Sequence, residues 1–328
     1  MLEPALFSNA RILVLGDFII DHYVEGVVER ISPEAPVPVL KKNAEEFRLG
    51  GAANVAVNCC ALGATTYLLS ITGPSSYPYS LANLLKKEGL DIGYLVIDPT
   101  VKPIIKTRFM SEGHHILRLD DEEITQLSTQ AMGTLTSKFS HLLQKVDIVV
   151  FSDYAKGFFH PSILQSFIRL AKQSGKKILV DPKGVNYAKY QGCYLIKPNQ
   201  KEAYKAANCE LNTQIEEVAS FLLDQVLAEY VLITRSAEGM ALFDQKGRSQ
   251  HYPTSKKEVV DVVGAGDTAL ALIAVALASG QSIEEAVMVA NIGSSIVVSK
   301  RGCASVTIDE LQEAMRLQAS FDFSENTI

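Results

Sequence analysis

Short apolar runs and longer mixed stretches alternate along the chain. Arg11-Ile-Leu-Val-Leu-Gly16 is an apolar run closed by glycine and predicts a buried strand. Residues 66–71, 147–152, 177–181, 194–197 and 230–234 repeat that pattern. The stretches between them predict helices at 52–62, 79–88, 124–145, 162–173 and 213–227, with another from Gln200. Residues 240–243 and 249–252 read as a hairpin near a sheet edge, and the last helices start near Gly264, Ser282 and Thr307. Strands that alternate with helices imply an α/β fold, a mostly parallel central sheet with helices on both faces. No linker-like stretch divides the chain, so one domain over residues 1–328 is expected.

Two segments depart from this alternation, about 22–47 and 102–119. The first contains Ile31-Ser-Pro-Glu-Ala-Pro-Val-Pro-Val39, whose prolines suit neither a helix nor a central strand. The second contains Pro103-Ile-Ile-Lys-Thr-Arg-Phe-Met110. The two are expected to pair as a small β lid over a site. An isolated small sheet is marginal in water and open edges invite pairing. With Val37, Val39, Ile104, Ile105 and Phe109 on it, the lid is expected to pack against a second copy in a homodimer.

Composition narrows the function. A net charge of −6 argues against a non-specific nucleic-acid binder. No uncharged apolar run reaches the ~18 residues of a membrane span, and the start lacks the apolar core of a signal peptide. Five cysteines without CxxC spacing read as free thiols of a cytoplasmic protein.

The densest candidate chemistry is Asp261-Val-Val-Gly264-Ala265-Gly266-Asp267-Thr268, followed by an apolar helix. Helix-start N–H groups lack internal acceptors and carry the positive dipole end, and glycines let a phosphate approach them. Asp267 beside such a site repels phosphate but can take a proton from an attacking hydroxyl. The same pattern also describes an acidic helix cap after a glycine turn. Polar residues cluster at other predicted strand ends: Asp17 with Asp21 nearby, Asp153 and Lys156, Asp181 and Lys183, Lys197 to Glu202, and Thr234. In a parallel sheet these ends line one crevice. Asn199 and Glu202 have the spacing to serve Mg²⁺ through water, or equally to form a capping box. Gly50, Gly51 and Asn54 mark a second helix start, fit for polar ligand groups or for tight packing. Arg108, Arg118, Lys156 and Lys183 suit a phosphorylated substrate, or are merely solvated.

Taken together, Gly50-Gly51-Ala-Ala-Asn54, Lys197-Pro-Asn-Gln-Lys-Glu202 and Asp261-Val-Val-Gly-Ala-Gly-Asp267 resemble the ribokinase-like (PfkB) carbohydrate kinases over essentially the full length. Within that family, Arg30–Val39, Lys106-Thr-Arg108, Arg118-Leu-Asp120, Ser152-Asp-Tyr-Ala-Lys-Gly157 and Asp181-Pro-Lys-Gly184 resemble the D-glycero-β-D-manno-heptose-7-phosphate kinases of bacterial lipopolysaccharide synthesis. The resemblance implies transfer of the ATP γ-phosphate to the sugar's anomeric hydroxyl. It makes Asp267 the base and Gly264, Ala265 and Gly266 the anion hole, with Asn199 and Glu202 ordering Mg²⁺–ATP. Asp17, Gly51 and Asn54 would hold the sugar, with Asp21, Gly50 and Asp153 beside them. Thr234, Ser236, Gly239, Asn291 and Gly302 would approach the nucleotide. Val262 and Cys303 depart from the family's usual Thr and Thr or Ser. No nucleotidyltransferase domain follows, so a stand-alone kinase is expected. The alternatives are another sugar or nucleoside kinase of this family, or a non-catalytic sugar-phosphate sensor. A dinucleotide oxidoreductase is disfavoured, because the first strand leads to Gly16-Asp17 rather than to a GxGxxG turn.

Overall fold

The first apolar run forms β1 (Arg11–Gly16), with Ile12 to Leu15 fully buried. Ile12 and Val14 feed one hydrophobic core and Leu13 and Leu15 the other, as a strand covered on both faces requires. The computed structural model describes residues 4–74, 80–254, 260–300 and 304–325. After β1 come β2 (Phe18–Ile31), β3 (Pro38–Gly51), α1 (Ala52–Ala61), β4 (Thr65–Thr72), α2 (Leu81–Lys87), β5 (Leu95–Ile97), β6 (Ile104–Ser111) and β7 (His114–Asp121). Then follow α3 (Thr129–Leu143), β8 (Ile148–Ser152), α4 (Pro161–Gln173), β9 (Lys177–Asp181), β10 (Leu195–Ile196), α5 (Gln200–Ala206), α6 (Ile215–Val226) and β11 (Tyr230–Thr234). The chain continues through β12 (Met240–Asp244), β13 (Ser249–Tyr252), α7 (Ala265–Ala278), α8 (Ile283–Val297) and α9 (Ile308–Glu325).

Among the described residues, nine strands form the main sheet in the order β13-β12-β11-β10-β9-β8-β1-β4-β5. Every neighbouring pair from β11 to β5 is parallel, and β12 and β13 join antiparallel at the edge. The ribokinase-like, mostly parallel sheet is therefore as the alternation predicts. Helices α1, α7 and α8 build one core, and α3, α4 and α6 the other. Gly16 pairs with Ser152 and Ser152 with Asp181, so the carboxyl ends of β1, β8 and β9 lie side by side.

The two proline-flanked segments form a separate four-stranded sheet, β3-β2-β6-β7. β2 and β6 run parallel, and each carries an antiparallel partner. Its strands span 18–51 and 104–121, so the first segment is wider at both ends than the pattern suggests and the second lies slightly later. Ile104 and Ile105 are buried, not on an open edge as expected, while Ile31, Val37, Leu117 and Leu119 are exposed. The helix expected over 124–145 starts only at Thr129, because the Ser128 side chain caps Ala131 N–H. The preceding residues instead strap the loop after β8, with Thr125 N donating to Lys156 O at 2.7 Å. Only Leu195 and Ile196 remain of the strand expected over 194–197. Tyr79, expected in a helix, lies outside the described residues.

Helix α7 is apolar on all sides and buried from Asp267 to Leu277, the pattern of a helix enclosed by a core. It fixes the position of its own first turn. Leu270→Ala, at a fully buried position of this helix, is expected to lower stability by ~2–5 kcal/mol. A urea midpoint equal to wild type would show that burial of α7 does not hold the fold.

Candidate active site

Asp267 stands in the first turn of α7, behind Gly264, which has φ 82° and a left-handed conformation that glycine adopts without strain. The carboxylate is buried. Asn54 Nδ2 donates to Oδ2 at 2.6 Å and Tyr154 Oη to Oδ1 at 2.9 Å. Asn54 is held in turn by Asn58, whose Nδ2 donates to Asn54 O at 2.8 Å, and Thr268 Oγ1 donates to Asn58 Oδ1 at 2.9 Å. A closed chain therefore runs from α1 to α7 and fixes the amide that grips the acid. Burial pushes the Asp267 carboxyl up to about 6; Asp181 adds to the effect, and Asn54, Tyr154 and Lys197 oppose it.

A cavity of about 560 Å³ opens beside Asp267. Its lining includes Gly264, Ala265 and Gly266, with Asn199, Glu202, Thr234, Ser236, Gly239 and Asn291. Val262, of the 261–267 motif, also lines it, and so do Met240, Thr254, Ser294 and Val298, which lie outside the motifs read from the sequence. Gly302 and Cys303 lie outside the described residues. Asn199 and Glu202 form the full capping box: Asn199 Oδ1 accepts Glu202 N at 2.9 Å, and Glu202 Oε2 accepts Asn199 N at 3.1 Å. Glu202 Oε1 remains toward the cavity wall and accepts Lys183 Nζ at 2.6 Å. Lys183, expected to suit a phosphorylated substrate, is thus on the wall shared with Asn199 and Thr234.

Several expected sugar contacts have internal partners instead. Asp17 is buried, and its carboxylate accepts the backbone N–H groups of Tyr154, Lys156 and Phe158 at 2.8, 3.2 and 3.1 Å. Asp17 therefore shapes the loop that carries Tyr154. Burial and the nearby Asp153 charge push its carboxyl up to about 6 against those bonds. Asp153 holds the same loop, accepting Ala155 N at 2.6 Å, Tyr190 Oη at 2.5 Å and Lys189 Nζ at 2.7 Å. Gly50 and Gly51 allow the chain to pack on itself: a Cβ on Gly50 would lie 2.6 Å from Asp21 Oδ2, and one on Gly51 2.5 Å from Asp17 O. Asn54 serves Asp267 directly.

The cations of the small sheet are also engaged. Arg108 Nη1 donates to Asp21 Oδ1 at 2.5 Å, a buried pair. Arg118 is exposed and donates twice to Asp120, each time at 2.7 Å, which holds that carboxyl down to about 2. Lys106 reaches Asp120 at 3.2 Å and Glu122 at 2.6 Å, and Lys156 closes on the other Glu122 oxygen. Tyr154, Asp181 and Lys197 enter the site without an individual role read from the sequence. Their signals were the strand-end positions and membership of the motifs 152–157, 181–184 and 197–202.

A buried acid at a helix start, beside a cavity of nucleotide size, is the arrangement of an enzyme that moves a phosphoryl group onto a hydroxyl. The profile described as "pfkB family carbohydrate kinase" matches residues 9–310, and the chain belongs to that family; it is an ATP-dependent carbohydrate kinase. The chain is 38% identical to the "Bifunctional protein HldE" of Syntrophotalea carbinolica, covering 94% of this chain and 63% of that one. It is likewise 38% identical to the HldE of Campylobacter fetus, covering 95% of this chain and 68% of the relative. The chain thus spans 63% and 68% of the length of these two relatives. Among solved structures, Escherichia coli phosphofructokinase-2 in complex with potassium superposes with a TM-score of 0.76 at 20% identity, over 94% of this chain and 99% of that one. Arabidopsis thaliana ribokinase complexed with ribose and ATP gives 0.70 at 18%, over 93% and 98%. Those two likenesses establish the fold alone. No helix among the described residues is long and apolar enough to cross a membrane.

Asp267 accepts a proton only when ionised. With Asp267 as the proposed base, its folded value of about 6, raised from 3.8, would place the acid limb of kcat near 6, with the rate falling about tenfold for each further pH unit down. Asp267→Asn should lose ~10²–10⁴-fold in kcat. A limb at 4 or below in the wild type would assign the proton to another group.

Proposed function

We propose that the chain phosphorylates the anomeric hydroxyl of D-glycero-β-D-manno-heptose 7-phosphate, giving the 1,7-bisphosphate and ADP for lipopolysaccharide core synthesis. The observation that carries a phosphorylated sugar is the group of cations on the small-sheet side of Asp267. Lys156 is two residues from Tyr154, which touches the base, and shares Glu122 with Lys106. Arg108 is held by Asp21, against Gly50 and near the start of α1. These lysines and this arginine already grip carboxylates, and a dianionic sugar phosphate can take over such charge-assisted bonds. The HldE relatives and the segments 30–39 and 181–184 support the particular sugar.

In the transfer, Asp267 takes the proton of the anomeric hydroxyl as its oxygen bonds to the γ-phosphorus. The bond to the bridging oxygen breaks, and its electron pair stays with ADP. The first N–H groups of α7, opened by Gly264 and Gly266, receive the moving phosphoryl charge. The small sheet closes over the sugar and keeps water out. Among the described residues no three acidic, His or Cys groups form a metal cage. Mg²⁺ would be held mainly by nucleotide phosphates and water, with Glu202 reaching it through water. Bound Mg²⁺ neutralises phosphate charge.

The proposal places the enzyme in the cytosol, where ATP is available and where Cys59, Cys60, Cys193 and Cys209 stay free. It also includes a homodimer through the small sheet, where Ile31, Val37, Leu117 and Leu119 are exposed. Light scattering at micromolar concentration should give twice the chain's mass, and a monomer there would remove the dimer from the proposal.

A panel of sugars and sugar phosphates scored for ADP release tests the substrate. Turnover is expected with the heptose 7-phosphate and not with unphosphorylated heptose. Lys156→Met should raise KM for the sugar phosphate, because losing one bond to a charged group costs roughly 1.5–3 kcal/mol, or about 10- to 150-fold. KM for ATP should stay near wild type. Equal turnover of phosphorylated and unphosphorylated heptose would sink this reading of the substrate.

A further inference from the structure

Both carboxylate oxygens of Asp267 already accept a bond. Asn54 donates to Oδ2 and Tyr154 to Oδ1, and only 6% of the residue is exposed. A general base must come within about 2.6–3.2 Å of the group whose proton it takes. A hydroxyl entering from the cavity therefore needs one of these donors to give way.

The two donors differ in freedom. Asn54 is buried on α1, and Asn58 Nδ2 reaches its backbone carbonyl at 2.8 Å and its side-chain oxygen at 3.4 Å. Turning that amide would cost several bonds at once. Tyr154 is half-buried. The described residues that line the cavity include Tyr154 and Asp267 but not Asn54. The phenol thus stands on the cavity side of the acid. Its backbone is fixed, because the Asp17 carboxylate accepts the N–H groups of Tyr154, Lys156 and Phe158. Ala155 holds φ 56°, a left-handed conformation that is uncommon for a non-glycine residue. Strain of this kind collects at active sites and switches. With the backbone held, what can move is the ring, by a change of rotamer.

We propose that Tyr154 is a gate on the base: its phenol holds the place of the acceptor hydroxyl on Asp267 Oδ1 until a sugar hydroxyl displaces it. The inference rests on the chain being an ATP-dependent kinase with Asp267 as its base. Before sugar binds, the phenol bars water from Oδ1 and so protects bound ATP. Water admitted there would bond through its oxygen to the γ-phosphorus and pass its proton to Asp267, and ADP would leave with the electron pair of the broken bond. When sugar arrives, its hydroxyl takes the phenol's place and goes through the same step, and the phosphoryl group ends on the sugar. Tyr154 keeps its own proton throughout. A ligand opens the gate only by setting a hydroxyl at Oδ1, so the gate exchanges some affinity for selectivity. The groups that face Asp267 are Asn54 from α1, Tyr154 from the loop after β8, Asp181 from the end of β9 and Lys197 after β10. Asn54, Tyr154 and Lys197 favour the ionised acid, and Asp181 opposes it.

Tyr154→Phe keeps the ring and removes only its hydroxyl. The full chain is assayed with Mg²⁺, saturating ATP and a sugar phosphate that the wild type turns over. At about pH 8, well above the Asp267 value, ATP hydrolysis without sugar should rise ~2–10-fold, the worth of one net hydrogen bond. KM for the sugar phosphate should fall by a similar factor, since no phenol has to be displaced. The pH profiles decide the mechanism. The profile of kcat/KM for the sugar phosphate reports the enzyme before sugar binds, and that of kcat the sugar-bound complex. In Tyr154→Phe the acid limb of kcat/KM should rise, because the waiting base has lost a donor. The acid limb of kcat should stay at its wild-type position, because the phenol has already left by then. A tyrosine that supports the base throughout the cycle moves both limbs together, and one that only packs moves neither. Either result, or sugar-free hydrolysis no faster than wild type, overturns the proposal. An Asp267→Asn variant with near wild-type kcat would sink the base and this inference together. An Asp267→Asn variant that is inactive, beside equal shifts of both limbs in Tyr154→Phe, sinks the inference alone.

Discussion

A general base must be ionised to work, and burial opposes ionisation. With Asp267 as the proposed base, that conflict sits at its buried carboxylate, around which the site is arranged. The acid is buried because α7 is buried, and α7 is buried because its residues are apolar on every side. Placing the acid on so rigid a helix fixes its geometry. The charge is then kept within reach of working pH by two neutral donors, Asn54 and Tyr154, that come from opposite sides. Each donor is itself held by a group with no other evident task. Asn58 and Thr268 lock Asn54, and Asp17 and Asp153 shape the loop that presents Tyr154.

This explains which parts of the site could be read from the sequence. The position of Asp267 was legible, because a glycine turn before an apolar helix has few other meanings. The parallel sheet was legible too, since β1, β8, β9 and β11 are short apolar runs between helical stretches. What the pattern does not contain is direction. A carboxylate at a strand end looks the same whether it faces a ligand or caps a neighbouring loop. Asp17 and Asp153 were expected at the sugar, and both also accept N–H groups of the loop after β8, which the pattern did not foresee. Asp21 and Arg108 were expected side by side on a substrate and are paired with each other across β2 and β6. Such pairings depend on register between segments some eighty residues apart, which no local pattern records. The capping box at Asn199 was read as one of two outcomes, and it forms, while Glu202 keeps one oxygen toward the cavity.

The same reasoning clarifies the sugar side. Cations set aside for an anionic ligand repel one another until it arrives. Here Glu122 and Asp120 stand between Lys106, Lys156 and Arg118, and Asp21 stands beside Arg108. Internal carboxylates of this kind keep the cations in place at modest strength. Exposed pairs such as Arg118–Asp120 contribute little to stability, so an incoming dianion can compete for them. Because Glu122 is bonded to Lys106 on β6 and to Lys156 after β8, the small sheet and the main sheet share one ionic contact. A ligand that displaced Glu122 would necessarily loosen one connection while making another.

The cost of this design falls on stability, and its sign is fixed. Burial raises Asp17 and Asp267 from 3.8 to about 6. Between those values the folded chain binds more protons than the unfolded one, so stability falls as pH rises through that window. Above about 6 both carboxylates are ionised in a site that disfavours their charge, at on the order of 3 kcal/mol each by the usual conversion. As the proposed base Asp267 needs the charge to take a proton, whereas the Asp17 carboxylate accepts three backbone N–H groups. The loop that presents Tyr154 is thereby tied to the same pH range as the base that Tyr154 holds.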